Sequence, residues 1–341
     1  MEMENKNKEK FELIKRNTAE IISDEELQSL LALNQHPKVY IGRAITGPVH
    51  IGHLASLTKL LDFQKAEFQT IILLADIHAA LDDLKSEWEE LDLRYKYTKK
   101  AIELCMDWPE LPKMIRGSDF QTEHNYIMDL FKFSSQLTVN KAMHAASEVT
   151  RMKNPKVSEL IYPIMQSLDE QYLDVDVQLG GSDQRHIQVL AREYLPIMGY
   201  KKRIEVMMTL IPSLKGPGVK MSSSVEGSMI KVNASEEEIR KLIKDAYCPN
   251  QIITDNPIIE IMALYVLPNE GSIIIERDNK FGGDLKIESA RQLKAIYTEG
   301  KLHPLDLKNY LAEYLIKKMK RVRDYFESNK DLLKQLGQKF E

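Results

Sequence analysis

Two histidines three residues apart, His50 and His53, bracket Gly52 where an apolar strand runs into a helix. Imidazoles at that spacing share one helical face, and the helix N-terminus adds unpaired N–H groups and a positive dipole end. Gly52 lets a nucleotide approach the backbone closely, so the stretch suits an anion such as polyphosphate. By itself such a pattern is more often a metal pair or ordinary polar surface. A second segment lies far downstream, 215-KGPGVKMSSSVEGS-228, in which two glycines and a proline precede Lys220 and Met221, and Ser222, Ser223 and Ser224 follow. A serine-rich loop is usually a linker. Downstream of the histidine segment, however, it can offer donors to a bound triphosphate from a second side, with Lys220 as its cation.

A third constellation is 161-IYPIMQSLDEQYL-173, where Tyr162, Gln166, Asp169 and Leu173 recur at spacings of four, three and four and therefore share a helical face. Such a face is either solvated or the wall of a small polar pocket. Asp76 and His78 follow an apolar run, and Asp76 reads equally as a helix cap and as a site residue.

These residues need elements to position them. Val39, Tyr40 and Ile41 form a short strand, after which Leu54, Leu57, Leu60 and Leu61 give a helical period. The continuous run 70-TIILLAD-76 reads as a buried parallel strand delivering Asp76 and His78 to its C-terminal edge. A further strand candidate is 113-KMIRGS-118, and Val175, Val177 and Leu179 alternate before Gly180-Gly181-Ser182-Asp183 turns the chain into a helix near Gln184. Recurring β-α units over about the first 215 residues predict an α/β fold with a doubly wound parallel sheet and right-handed crossovers. Residues 1–9 read as a solvated tail, while Phe11, Leu13, Ile14, Ile21 and Ile22 suggest short helices; Pro163 suits a first helical turn. Residues 83–106 read as a packed surface helix, and 125–152 as a methionine-rich helical region suited to core or interface. After Asn233 the chain turns mainly helical, beginning with a Ser235/Glu238 cap and ending on a stripe of Leu311, Leu315, Met319, Val322 and Phe326. The expected division is a domain over 1–232 followed by a helical one over 233–341.

With 47 Lys+Arg against 51 Asp+Glu the net charge is −4, so any nucleic-acid surface must be a local concentration of charge. Cys105 and Cys248 are too few and too far apart for a disulfide framework or a C-x-x-C zinc site. A reducing, cytoplasmic setting is expected, and no apolar run reaches the roughly 18 residues of a membrane span.

Taken together, 50-HIGH-53 and 220-KMSSS-224 resemble the two signatures of the class I aminoacyl-tRNA synthetases, in the right order. More closely, the chain resembles the tyrosyl-tRNA synthetases of archaeal and eukaryotic type, through 14-IKRNTAEIIS-23, 70-TIILLADIHA-79, 154-NPKVSELIYPIMQ-166, 188-QVLAREYLP-196, 281-FGGDL-285 and 303-HPLDLKN-309. The resemblance implies a Rossmann-like catalytic domain, ATP with Mg²⁺ and L-tyrosine as substrates, tRNA(Tyr) as partner, a homodimer, no resident metal and no membrane. It assigns the phenolic hydroxyl of tyrosine to Tyr40 and Asp169, and the ammonium to Tyr162, Gln166 and Gln184. Buried groups that phenylalanine would leave unpaired reject it far better than an apolar slot could. His50, Gly52, His53, Lys220, Met221, Ser222 and Ser223 are implied in ATP binding, with His50, His53 and Lys220 stabilising phosphate charge. Arg185 is implied at the tRNA acceptor end, and Phe281, His303 and Asp306 at the anticodon; from local sequence, His303-Pro304 with Asp306 is also simply the start of a helix.

The chain departs from that family at several points. The opening loop usually reads near G-F-E-P-S-G, against 42-GRAITG-47 here, so Arg43 and Ala44 replace an aromatic and a glutamate. Val225 and Glu226 stand where a lysine usually follows the second signature, and Met143 and His144 stand near an expected arginine. These departures leave room for a paralogue that binds RNA or tyrosine without efficient aminoacylation.

Overall fold

The computed structural model describes residues 2–34, 36–82, 86–148, 155–219, 221–222 and 225–340. The chain divides into two compact units, one made of Met1–Thr46, Lys59–Lys99 and Trp108–Thr209, the other of Gly47–Thr58, Lys100–Asp107 and Leu210–Glu341.

The first unit is organised by a sheet whose strands are β1 (Thr18–Ile22), β2 (Lys38–Ala44), β3 (Gln69–Ala75), β4 (Lys113–Arg116), β5 (Val177–Gly181) and β6 (Ile204–Met208). Their order, among the described residues, is β1-β6-β5-β2-β3-β4. All pairs are parallel except β1 with β6. β3 is buried from Thr70 to Ala75, which is why its apolar run is continuous rather than alternating. β2 lies between β3 and β5, with Tyr40 in register with Ile71 on one side and Gln178 on the other. The chain thus leaves β2 toward one edge of the sheet and returns on β2's other flank. That switch point is where an open α/β sheet leaves room for a ligand beyond its C-terminal strand ends.

The helices of the first half are α1 (Glu2–Lys15), α2 (Asp24–Leu33), α3 (Ile51–Lys65), α4 (Asp76–Leu81), α5 (Leu91–Cys105), α6 (His124–Gln136), α7 (Val139–Ala146), α8 (Val157–Tyr172) and α9 (Arg185–Ile197). Three expectations are corrected. The N-terminal tail is helical from Glu2, because Phe11 and Ile14 bury the far end of α1 and the polar residues before them extend its exposed face. Ile21 and Ile22 lie in strand β1, not a helix. Thr18, Ile21 and Ile22 are β-branched, and the edge of β6 supplies their hydrogen-bond partners. Pro163 sits inside α8 rather than in its first turn.

The second unit carries a helix over Glu236–Asp245, capped as expected by Ser235 accepting from Glu238 N at 3.1 Å. Helical residues 257–270 follow, including a π-helical segment at Met262–Val266. A small antiparallel pair, β7 (Ile273–Ile275) with β8 (Leu285–Ile287), interrupts the helices, which resume at Ala290–Thr298, Pro304–Lys318, Lys320–Ser328 and Lys330–Leu336. The predicted stripe Leu311, Leu315, Met319, Val322 and Phe326 is buried throughout. Among the described residues, no helix is long and apolar enough to cross a membrane.

Candidate active site

The polar face of α8 is turned into the first unit. Tyr162 and Asp169 are buried, and the residues between them are buried too apart from the half-buried Gln166. Asp169 Oδ1 accepts from Gln121 Nε2 at 2.8 Å and lies 2.9 Å from Tyr126 Oη. Among the described residues, His78 Nε2 stands 3.7 Å from Asp169 Oδ2. Burial drives the Asp169 pKa up to about 7, while the Gln121 and Tyr126 donors restrain it. One oxygen is therefore occupied by the protein and the other stands ready to accept.

Tyr40, fully buried on β2, reaches the same helix. Its hydroxyl lies 3.2 Å from the carbonyl of Gln166 and 2.9 Å from the Gln178 side chain. The Gln178 amide satisfies all its neighbours only with its nitrogen toward Glu170 (2.6 Å) and Glu205 (3.1 Å) and its oxygen toward Tyr40 and Gln166 Nε2 (3.1 Å). Burial raises the Tyr40 phenol, with Glu170 and Asp169 adding to the shift, so it stays a neutral hydroxyl.

Tyr162 packs edge-on against His78, with ring centroids 4.7 Å apart. Burial raises its pKa, the carboxylates Asp82, Asp183 and Asp169 add to this, and Arg43 opposes them. That places Arg43, the departure in the opening loop, within electrostatic reach of the tyrosine expected to hold an ammonium. Gln184 packs at Gly180: a Cβ there would stand 3.2 Å from Gln184 Cβ and 2.9 Å from Gln188 Nε2, so any larger residue would have to push these side chains aside. The structure thus joins Tyr40 to Gln166 directly and through Gln178, holds Asp169 on Gln121 and Tyr126, and sets Tyr162 against His78. Asp76 is engaged on both carboxylate oxygens. Its Oδ1 accepts from Ile77 N (3.0 Å) and Ser118 N (2.9 Å), its Oδ2 from Arg116 Nε (2.6 Å) and Ser118 Oγ (2.6 Å), tying α4 to the end of β4.

The histidine segment belongs to the second unit. His50 pairs with Lys231 as an isolated antiparallel bridge, flanked by Ile51 N to Ile230 O and Val232 N to Val49 O, each 2.9 Å. The two imidazoles lie 3.8 Å apart. Gly52 N donates to His50 Nδ1 and His50 N to His53 Nδ1, both at 3.2 Å. A neutral imidazole accepting at Nδ1 carries its proton on Nε2, so each ring presents a donor on its far side. A Cβ on Gly52 would meet Met221 Sδ at 2.8 Å and the His50 ring at 3.0 Å, so the glycine brings the second signature against the first. The base of that loop is closed by buried Ser228, whose Oγ accepts from Ser222 N (3.1 Å) and donates to Ser222 O (2.7 Å). Lys220 and Ser223 lie outside the described residues.

Of the residues implied in RNA binding, Arg185 makes a two-pronged ion pair with Glu20, Nε to Oε2 at 2.6 Å and Nη2 to Oε1 at 3.0 Å. His303 starts Pro304–Lys318: its Nδ1 accepts from Leu305 N at 3.2 Å, and Asp306 lies in the first turn. The helix-start reading of this turn is therefore observed, with His303 rather than Asp306 as the side-chain cap. Phe281 ends a short 3-10 turn, Asn279–Phe281.

Residues 32–320 match the family model of the tRNA synthetases class I (W and Y). The chain belongs to this class I tRNA synthetase family. Within it, the chain is similar to the tyrosine–tRNA ligase of Archaeoglobus fulgidus, 42% identical over 309 residues, covering 90% of this chain and 94% of that one. It is likewise similar to the tyrosine–tRNA ligase of Methanocaldococcus jannaschii, 43% identical, covering 92% and 99%. The crystal structure of the A. fulgidus tyrosyl-tRNA synthetase complexed with L-tyrosine superposes with a TM-score of 0.89 at 39% identity, covering 93% of this chain and 99% of that one. These relatives put it in the archaeal and eukaryotic tyrosyl branch of the family.

For a member of this family, sequence reading passed over several residues that hold the site. Gln121 and Tyr126 fix Asp169; Gln178, Glu170 and Glu205 fix Tyr40; Ser228 closes the loop. None lies at a telling spacing from the residue it serves, since each contact is long-range or crosses a turn.

Proposed function

We propose that this chain activates L-tyrosine with ATP and Mg²⁺ and transfers it to the 3′ end of tRNA(Tyr). A tyrosine carboxylate oxygen attacks the α-phosphorus as the bond to pyrophosphate breaks. The terminal adenosine hydroxyl of tRNA then attacks the carbonyl of the mixed anhydride, and AMP leaves with the bonding pair. The observation that carries the reading is the buried pair of Asp169, one oxygen ready to accept, and Tyr40, in a chain similar nearly end to end to tyrosine–tRNA ligases.

Tyr40 and Asp169 take the phenolic hydroxyl; Tyr162, Gln166 and Gln184 take the ammonium. His50, His53 and Lys220, helped by Gly52, Met221, Ser222 and Ser223, bind ATP and stabilise charge on its phosphates. Neither step needs a covalent enzyme intermediate, so rate comes from positioning and preorganised charge. Residues 233–341 read the anticodon through Phe281, His303 and Asp306, and Arg185 serves the acceptor end. The protein works as a homodimer in the cytoplasm. Exposed Met128, Phe131 and Val139 on α6 and α7 support the dimer, and Cys105 and Cys248, which form no disulfide, support the reducing setting.

ATP–pyrophosphate exchange across the amino acids tests the proposal: tyrosine alone should drive it, and exchange with no amino acid would refute it. Lys220→Ala should slow adenylate formation while leaving tyrosine affinity in place.

A further inference from the structure

A phenolic hydroxyl has one proton to donate and lone pairs to fill, so a site that recognises it needs an acceptor and a donor. The network above supplies acceptors twice. Both of these partners of Tyr40 Oη, Gln178 Oε1 and the Gln166 carbonyl, are themselves acceptors, so its proton is committed to the protein and its remaining lone pair can accept. Asp169 offers Oδ2. A donor remains to be found.

His78 provides it. The residue is 2% exposed, and among the described residues its Nε2 has no hydrogen-bond partner, standing 3.7 Å from Asp169 Oδ2. Its Nδ1 lies 3.4 Å from Gln121 Nε2, the same nitrogen that donates to Asp169 Oδ1. Gln121 Nε2 can only donate, so Nδ1 accepts and the proton of the neutral ring sits on Nε2. Tyr162 holds the ring edge-on from the other side. A buried N–H without a partner is a costly arrangement unless something else completes it. The geometry points to His78 Nε2–H as the donor to the substrate's hydroxyl oxygen, with Asp169 and Tyr40 as the acceptors facing its proton. Burial lowers the His78 pKa to about 4, which keeps the ring neutral. This rests on the tyrosine reading of the site and adds its missing donor.

Tyrosine- and phenylalanine-dependent ATP–pyrophosphate exchange, measured on the wild type, His78→Leu and His78→Gln, tests it. His78→Leu is expected to lower kcat/KM for tyrosine by about 10- to 100-fold, the cost of one unmade buried hydrogen bond, and to leave phenylalanine nearly unchanged. His78→Gln, whose amide nitrogen reaches where Nε2 stood, should recover part of the loss. An unaltered tyrosine-to-phenylalanine ratio in His78→Leu would overturn the inference and assign the donor to a protonated Asp169. Wild-type protein without tyrosine-dependent exchange would instead remove the tyrosine reading on which it stands. Should His78→Leu not fold, imidazole ¹⁵N NMR of the wild type gives the same decision. An Nε2–H tautomer whose Nε2 shifts with tyrosine but not with phenylalanine supports the assignment, and an Nδ1–H tautomer or an unmoved signal refutes it.

Discussion

Glu170 and Glu205, two fully buried carboxyl groups on α8 and β6, meet the same Gln178 amide nitrogen, at 2.6 and 3.1 Å. Among the described residues, each keeps one oxygen without a hydrogen-bond partner, Glu170 Oε2 and Glu205 Oε1. Burial raises both pKa values above the ordinary carboxyl range. Glu170 raises Glu205 further, and Arg203 pulls both back. A carboxyl whose folded pKa exceeds its unfolded one binds more protons when folded, so its contribution is fully favourable at low pH and is lost as pH rises. Glu205→Gln should therefore stabilise the protein by about 1–3 kcal/mol at pH 8 relative to wild type and by much less near pH 4. Melting temperatures of the two proteins across that range decide it; an offset independent of pH would show that the pair stays ionised.

Tyr126→Phe removes one of the two donors on Asp169 Oδ1. Asp169, already raised to about 7 by burial, should titrate higher still. If Asp169 must be ionised to accept from the phenol, the acidic limb of the tyrosine kcat/KM profile moves to higher pH, while that of phenylalanine stays put. The two profiles on one variant are the check.

Ser228→Ala should open the base of the second-signature loop, since Ser228 Oγ joins both the N–H and the carbonyl of Ser222. Losing a buried hydroxyl of this kind costs on the order of 1–3 kcal/mol of local order. Expected is slower pyrophosphate exchange at unchanged half-saturation for tyrosine, with proteolysis near residue 220 accelerated. Resistance to proteolysis equal to wild type would contradict it.

The legibility of this chain follows the range of its interactions. β3 could be read from its own residues because a strand buried on both faces must be apolar throughout. The stripe from Leu311 to Phe326 could be read because helical period is local. β1 could not, because its identity depends on β6, whose residues Ile204–Met208 lie far along the chain. β6 in turn was hidden by Glu205, a carboxyl that breaks an apolar run and whose burial is eased by Gln178 and by the charges of Arg192 and Arg203. The site divides in the same way. Tyr162, Gln166 and Asp169 stood at one helical spacing, whereas their supports Gln121 and Tyr126 reach α8 from beyond β4.

His50→Ala removes the acceptor of Gly52 N and one of two adjacent imidazoles. Deleting a preorganised donor to developing phosphate charge typically costs about 10²- to 10³-fold in rate. Exchange should fall by that order while tyrosine binding, followed by calorimetry without ATP, stays as in wild type. A matching loss of tyrosine affinity would contradict an ATP-directed role.

Gly52→Ala should act through geometry alone, since its Cβ would press on Met221 Sδ and the His50 ring. The methionine can swing aside, so stability should change by no more than about 1 kcal/mol while exchange slows. A comparable drop in melting temperature and rate would show that the glycine serves packing only.

The most direct measurement is the ratio of kcat/KM for tyrosine and phenylalanine in ATP–pyrophosphate exchange, compared between wild type and Asp169→Ala. Tyrosyl-tRNA synthetases as a class are the standing example of such rejection, on the order of 10⁴- to 10⁵-fold. A wild-type ratio of that order, collapsing in Asp169→Ala, is the expected result. A ratio that survives the substitution would contradict the placement of the phenolic hydroxyl between Asp169 and Tyr40.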